Sequence, residues 1–161
     1  MIHPTAIVED SVIGAGTNIW HFAIIRSGAK IGKNCVIAKG VYIDSNVEIG
    51  DNCKIQNNAS IFHGVKIGNG VFVGPHVCFT NDLYPRAVNT DGSLKSETDW
   101  SVSETIVEDG VAIGANSTIR CGIILHKNCM IGCGSVVTKS IKEGALAYGN
   151  PAVTNRYPFK R

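Results

Sequence analysis

An isoleucine recurs at every sixth position through the first part of this chain, and no other feature restricts its fold as tightly. The series runs Ile7, Ile13, Ile19, Ile25, Ile31, Ile37, Ile43, Ile49, Ile55, Ile61 and Ile67, then continues with Val73 and Phe79. The phase is lost between Thr80 and about Glu104 and returns, shifted, as Val107, Ile113, Ile119, Leu125, Ile131 and Val137. Two residues before each large aliphatic stands a smaller or β-branched one, as in Ala23, Ala29, Cys35, Val41, Val47, Cys53 and Ala59. Three residues before it stands Gly or Asn, unbroken from Gly28 through Asn34, Gly40, Asn46, Asn52, Asn58 and Gly64 to Gly70. That column resumes as Gly110, Asn116, Gly122, Asn128 and Gly134.

A helix cannot carry this pattern, because at about 100° per residue a six-residue step turns successive isoleucines by about 240° and no single apolar face forms. Short strands can, since positions two apart point the same way. Gly and Asn reach the left-handed backbone region most cheaply, so their column marks corners. The repeating unit is a strand, a corner and another strand. Three units close a triangular coil of eighteen residues, and coils stack at the inter-strand spacing of about 4.8 Å. Stacking buries the isoleucine columns, which one coil alone cannot do. The expectation is an all-β parallel solenoid; an ordinary sandwich would not hold a six-residue register for so long. The period does not set the handedness, and general rules favour right-handed crossovers.

Composition removes several classes. With 161 residues, 44% hydrophobic and 17% charged, the chain suits one domain with a real core and is too apolar for disorder. No apolar run approaches the roughly 18 residues of a membrane span. Met1-Ile2-His3-Pro4-Thr5 lacks the basic and then apolar stretch of a secretion signal, so a cytoplasmic protein with reduced thiols is expected. The net charge of +2 contains no basic block, so no nucleic-acid partner is expected. Cys35 and Cys53, eighteen apart, stack as small core residues. Cys121, Cys129 and Cys133 lack the spacing of paired zinc knuckles, and no metal is expected.

The units Ile13-Gly14, Ile31-Gly32, Ile49-Gly50, Ile67-Gly68, Ile113-Gly114 and Ile131-Gly132 resemble the hexapeptide motif of the left-handed β-helix acyltransferases. That resemblance implies a left-handed parallel β-helix, a triangular prism of roughly seven coils. It implies a single domain over 1–161, with an inserted active-site loop at 80–104 and a C-terminal segment at 141–161. Such proteins are usually homotrimers with active sites in the clefts between neighbouring prisms. More narrowly, Gly74-Pro75, Phe79-Thr80-Asn81-Asp82 and Pro85-Arg86 resemble the nucleotide-sugar N-acetyltransferases, as do Lys54-Ile55-Gln56-Asn57-Asn58 and Ile113-Gly114-Ala115-Asn116. Those enzymes acetylate an amine on a UDP- or dTDP-linked amino sugar from acetyl-coenzyme A. The run Asn81-Asp82-Leu83-Tyr84-Pro85-Arg86 with Asp99-Trp100 is closer to the branch acting on dTDP-3-amino-3,6-dideoxyhexoses than to the UDP-linked 3-amino uronic acid branch. The implied product feeds a surface glycan such as an O-antigen. An O-acetyltransferase of the same fold is the nearest alternative.

The loop is polar, carries Tyr84, Arg86 and Trp100, and breaks a regular solenoid, which marks it as a binding loop. Acetyl transfer needs a neutral amine held against a thioester carbonyl, an oxyanion donor and a route for one proton. Asn81 and Asp82 are the candidates for holding the amine; the alternative for the pair is an Asx turn that starts the loop. His63 is the candidate base among His21, His63, His76 and His126, with the departing thiolate as the alternative proton acceptor. Arg86 suits a diphosphate, and Trp100 and Tyr84 suit the rest of the nucleotide sugar. By resemblance, coenzyme A runs along Gly114, Ala115 and Gly132. Pro151, within Gly149-Asn150-Pro151-Ala152, is implied near the adenine. Lys139, Lys142, Arg156, Lys160 and Arg161 form a cationic end suited to its phosphates.

Two other classes fit the sequence less well. A zinc hydratase needs three converging histidines, and His21 and His63, 42 apart, fall on different edges of the prism. An ice-binding solenoid needs an outward threonine ladder that is absent here.

Overall fold

A computed structural model describes residues 1–156; Lys160 and Arg161 lie outside the described residues. The described chain is all strand and turn, a parallel β-solenoid consistent with the left-handed β-helix of hexapeptide repeats. It contains no helix long and apolar enough to cross a membrane. Its strands form three sheets of seven, six and eight members, which are the faces of the prism. The first face stacks strands from Ile7–Val8 to Val136–Val137, the second from Val12–Ile13 to Ile124–Leu125. The third runs from Asn18–Ile19 to Leu146–Gly149 and is closed by the antiparallel strand Ala152–Arg156.

Most strands have two residues, one turned outward and one inward. In Lys30–Ile31, Glu48–Ile49 and Lys54–Ile55 the charged residue is exposed and the isoleucine buried. Ile25, Ile37, Ile43, Ile55, Ile61, Ile113 and Ile119 are wholly buried, each worth about 1.5–3 kcal/mol of transfer energy. The smaller column between them, including Ala23, Cys35, Val41, Cys53 and Ala59, is equally buried. Cys35 and Cys53 are free thiols on successive coils, and the Cys53 N–H donates to Cys35 Sγ at 3.4 Å. Asn34, Asn46, Asn52, Asn58, Asn116 and Asn128 all have φ between 55° and 59°, the left-handed corner conformation expected of that column. The glycines following the isoleucines have a different reason: a Cβ on Gly32 would lie 2.6 Å from the carbonyl carbon of Gly50, so the coils could not close.

The structure corrects the start of the isoleucine column. Val8, not Ile7, pairs with Ile25, while Ile7 pairs with Ile24 and is 57% exposed. The corner after Val8, at Glu9-Asp10-Ser11, contains no left-handed residue and is one residue shorter than the others. Two corners also depart from Gly or Asn: Phe22 and His76 have φ of 58° and 59°. Beyond Phe79 the next strand begins at Thr105, yet Val65–Ile67 pairs directly with Thr105–Val107, so the excursion leaves the stack unbroken.

Candidate active site at the loop edge

The excursion springs from the edge between the first and second faces. Successive corners there stack Glu9, Arg26, Asp44 and Phe62 one coil apart, and Ser27, Ser45 and His63 form the adjoining column. The chain leaves this edge at Thr80, whose N–H donates to Ile119 O at 3.0 Å and whose Oγ1 accepts from the Cys121 N–H at 3.0 Å. The loop's neck is closed by Ser103 N–H to Asn81 O at 3.1 Å and by Thr105 N–H to Gly64 O at 3.0 Å. Inside it, Lys95 N–H donates to Ala87 O at 3.0 Å and Asn89 N–H to Ser93 O at 2.8 Å. Asp99 accepts from the Ser96 N–H at 2.7 Å and the Ser96 hydroxyl at 2.8 Å. The Ser96 N–H, then its hydroxyl and the Asn89 amide, hold the Asp99 carboxyl below the usual carboxylate range. The loop is therefore a folded excursion rather than a tether.

Between loop and corners lies a cavity of about 380 Å³ whose lining includes Arg26, Asp44, His63, Asn81, Glu97 and Trp100. His63 Nδ1 lies 2.8 Å from the Ser45 carbonyl oxygen. A carbonyl only accepts, so Nδ1 carries the proton and the neutral ring keeps its lone pair on Nε2. Asp44 is structural: its Oδ1 accepts from the Tyr42 hydroxyl at 3.1 Å and the Ser45 N–H at 2.8 Å, and its Oδ2 from the His63 N–H at 3.2 Å. Arg26 Nε is 2.8 Å from Glu9 Oε1. Asn81 lines the cavity, and its main-chain carbonyl holds the neck.

A second cavity, of about 460 Å³, opens within the loop and is lined by Asp82, Pro85, Arg86, Lys95, Glu97 and Trp100 among others. Arg86 Nη1 donates only to the neighbouring Pro85 carbonyl, at 3.0 Å, and neither Arg86 nor Lys95 has a carboxylate partner among the described residues. A third, of about 350 Å³, is lined by Asp82, Tyr84, Lys95 and Trp100. Trp100 borders all three.

The structure thus brings His63, Asn81 and Trp100 around one cavity and places Asp82 instead in the two loop cavities that Trp100 also borders. Asp82 Oδ1 accepts the Tyr84 N–H at 2.8 Å, which closes an Asx turn. The other histidines lie elsewhere. His21 stacks on His3 with ring centroids 3.5 Å apart, His76 forms a corner of the third–first edge, and His126 Nδ1 is 3.2 Å from Glu108 on the second–third edge. Among the described residues no three His, Cys, Asp or Glu converge as metal ligands.

Gly114, Ala115 and Gly132 occupy the third–first edge, with the Gly134 N–H donating to Ala115 O at 2.8 Å. Pro151 continues that edge at the turn into the last strand, where Arg156 pairs with Leu146. Lys139, exposed, follows Val136–Val137 on the loop edge instead. Within one chain the first face separates Gly114 from His63. Sequence reading missed Ser45, Asp44, Arg26, Lys95 and Glu97. Ser45 was reachable, because the coil length of eighteen places it directly beside His63. Lys95 and Glu97 stand in non-repeating sequence that offers no register.

Residues 10–45, 28–63 and 46–81 match the family described as bacterial transferase hexapeptide (six repeats), and residues 104–139 match the hexapeptide repeat of succinyl-transferase. The chain is 48% identical over 156 residues to a dTDP-3-amino-3,6-dideoxy-alpha-D-galactopyranose 3-N-acetyltransferase of Aneurinibacillus thermoaerophilus, covering 97% of this chain and 77% of the relative. Among solved structures it resembles the acetyltransferase domain of PglB from Neisseria gonorrhoeae, with a TM-score of 0.62 and 19% identity. It also resembles PerB from Caulobacter crescentus in complex with CoA and GDP-perosamine, with a TM-score of 0.60 and 18% identity. Each superposition covers 96% of this chain and 56% of the other, so the chain spans little more than half of those proteins.

Proposed function

The chain belongs to the bacterial hexapeptide-repeat transferase family, and from that premise we propose that it is an N-acetyltransferase acting on a nucleotide-linked amino-deoxysugar with acetyl-coenzyme A as acetyl donor. A dTDP-3-amino-3,6-dideoxyhexose is the acceptor that the 48% identical relative supports. The observation that carries this reading is the cavity beneath the loop that Asn81 and His63, held with Nε2 as its basic nitrogen, both line.

In this reading the Asn81 carbonyl accepts a hydrogen from the sugar amine and aims the nitrogen at the thioester carbonyl. The C–N bond forms, and His63 Nε2 takes the proton the nitrogen sheds. The carbon–sulfur bond then breaks, and the thiolate leaves and takes up a proton to become the free thiol. The Ser45 carbonyl stabilises the imidazolium while it carries the charge. Trp100 divides the acceptor, with the sugar on the His63 side and the diphosphate against Arg86 and Lys95.

Coenzyme A, along Gly114, Ala115, Gly132 and Pro151, reaches His63 only if those residues come from a neighbouring copy. A homotrimer supplies that geometry. From the second coil on, the outward residues of the first face, Ile24, Tyr42, Ser60, Cys78, Thr118 and Val136, include no charge and are half-buried, which suits packing between copies.

The test is thiol release from acetyl-coenzyme A against a dTDP-3-amino-3,6-dideoxyhexose, a UDP-linked 3-amino uronic acid and hydroxyl acceptors. Turnover on the dTDP-linked amine is expected. Turnover on a hydroxyl acceptor alone would replace the reading with O-acetyl transfer.

A further inference from the structure

Resting on that reading, we infer that Glu97 selects an amine over a hydroxyl at the acceptor carbon by binding the amine in its ammonium form. Three ionic side chains besides His63 line the cavity, and two are already engaged. Asp44 accepts from Tyr42, Ser45 and His63, and Arg26 is paired with Glu9 at 2.8 Å. Glu97 is solvent-exposed, accepts no hydrogen bond and has no cation within ion-pair distance among the described residues, so its carboxylate is free to take a ligand in place of water. Its backbone is nonetheless held, because it sits inside the turn closed by the Ser96 N–H and hydroxyl on Asp99, which the Asn89 amide ties back at 3.3 Å.

The position matters as much as the missing partner. Glu97 borders both the His63 cavity and the cavity of Arg86 and Lys95. The acceptor proposed above has the same polarity, a diphosphate at one end and a basic amine at the other. Cations face the first, and the carboxylate at the boundary faces the second. At neutral pH an aliphatic amine is mostly an ammonium with three donors, and Asn81 can take only one of them. A charge-assisted bond to Glu97 takes a second; the third passes to His63 Nε2 and on to solvent, which frees the nitrogen lone pair before the C–N bond forms and leaves Nε2 to take the proton shed afterwards. A hydroxyl at the same carbon brings one donor and no charge, and so forgoes the charge-assisted bond.

The experiment is titration calorimetry of wild-type protein and Glu97→Gln with three probes: dTDP-3-amino-3,6-dideoxygalactose, dTDP-6-deoxygalactose and dTDP alone. Wild type should bind the amine at least about tenfold more tightly than the hydroxyl, and Glu97→Gln should bring the two within about twofold with dTDP affinity unchanged. In turnover the variant should raise KM for the amine about tenfold while kcat stays within about threefold, and Glu97→Asp should recover part of the preference. An amine preference that survives in Glu97→Gln overturns the inference, as does a wild type that shows none. An amine preference without thiol release overturns the acetyl-transfer reading instead and leaves the selectivity standing.

Discussion

His63 and Ser45 are stacked one coil apart on the loop edge, and the imidazole Nδ1 proton is donated to the Ser45 carbonyl at 2.8 Å. The repeat therefore does two things at one place: it builds the wall, and it supplies the acceptor that orients the imidazole. His63→Gln should lower kcat by at least about 100-fold. Thermal unfolding should barely move, because the bond from the residue-63 main-chain N–H to Asp44 does not depend on the side chain. Wild-type turnover in this variant would assign the proton to the departing thiolate.

Asn81 and Asp82 are neighbours in sequence with different surroundings. Asn81 lines the His63 cavity, whereas Asp82 spends one carboxylate oxygen on the Tyr84 N–H. Asn81→Ala should lower turnover by at least about tenfold, or about 1.4 kcal/mol of transition-state stabilisation. Asp82→Asn keeps an Asx-turn acceptor and should leave turnover within about threefold. Steady-state kinetics of the two variants side by side tests the division; equal losses would put both side chains at the reacting amine.

How much was legible follows from where the repeat rules. Inward residues such as Ile31, Ile49 and Leu125 are fixed by burial, and a six-residue period reveals burial directly. Ile7 was misassigned because a shortened corner shifts the register without altering residue type. Phe22 and His76 escaped the corner rule because stacking on neighbouring coils imposes the left-handed backbone on whatever residue is there. The loop obeys no period. Its chemistry-bearing types could be read from Asn81, Arg86 and Trp100, but the cavity that Glu97 and Lys95 help to line depends on hydrogen bonds among Asn89, Ser96 and Asp99, which no spacing announces.

Arg86 and Lys95 line one cavity with Trp100, and neither has a carboxylate partner among the described residues. Two such cations suit a diphosphate, with the indole as a stacking surface for the base. Arg86→Ala and Lys95→Ala should each weaken dTDP binding by about tenfold, more at low salt than at high salt. Trp100→Ala should weaken it at every salt concentration alike. Calorimetry at two ionic strengths checks both; unchanged affinity in all three variants would remove the nucleotide from this cavity.

The corners give a prediction that concerns the prism alone. Phe22 holds φ at 58° with its ring 59% exposed, so it bears the left-handed penalty without the compensation of burial. Asn58 holds the same φ of 58°, and its amide oxygen packs over Gly40 on the coil before. The penalty for an ordinary side chain in this region is about 1–2 kcal/mol, and Asn is among the residues that tolerate it. Phe22→Asn should therefore raise the unfolding midpoint by about 2–4 °C, and Asn58→Ala should lower it by a similar amount. Asn58→Gly should fall between wild type and Asn58→Ala, since it relieves the backbone but loses the contact over Gly40. Thermal melts of the three variants at one protein concentration decide the matter. A lower midpoint for Phe22→Asn would mean that the exposed ring is held by contacts worth more than the strain it imposes.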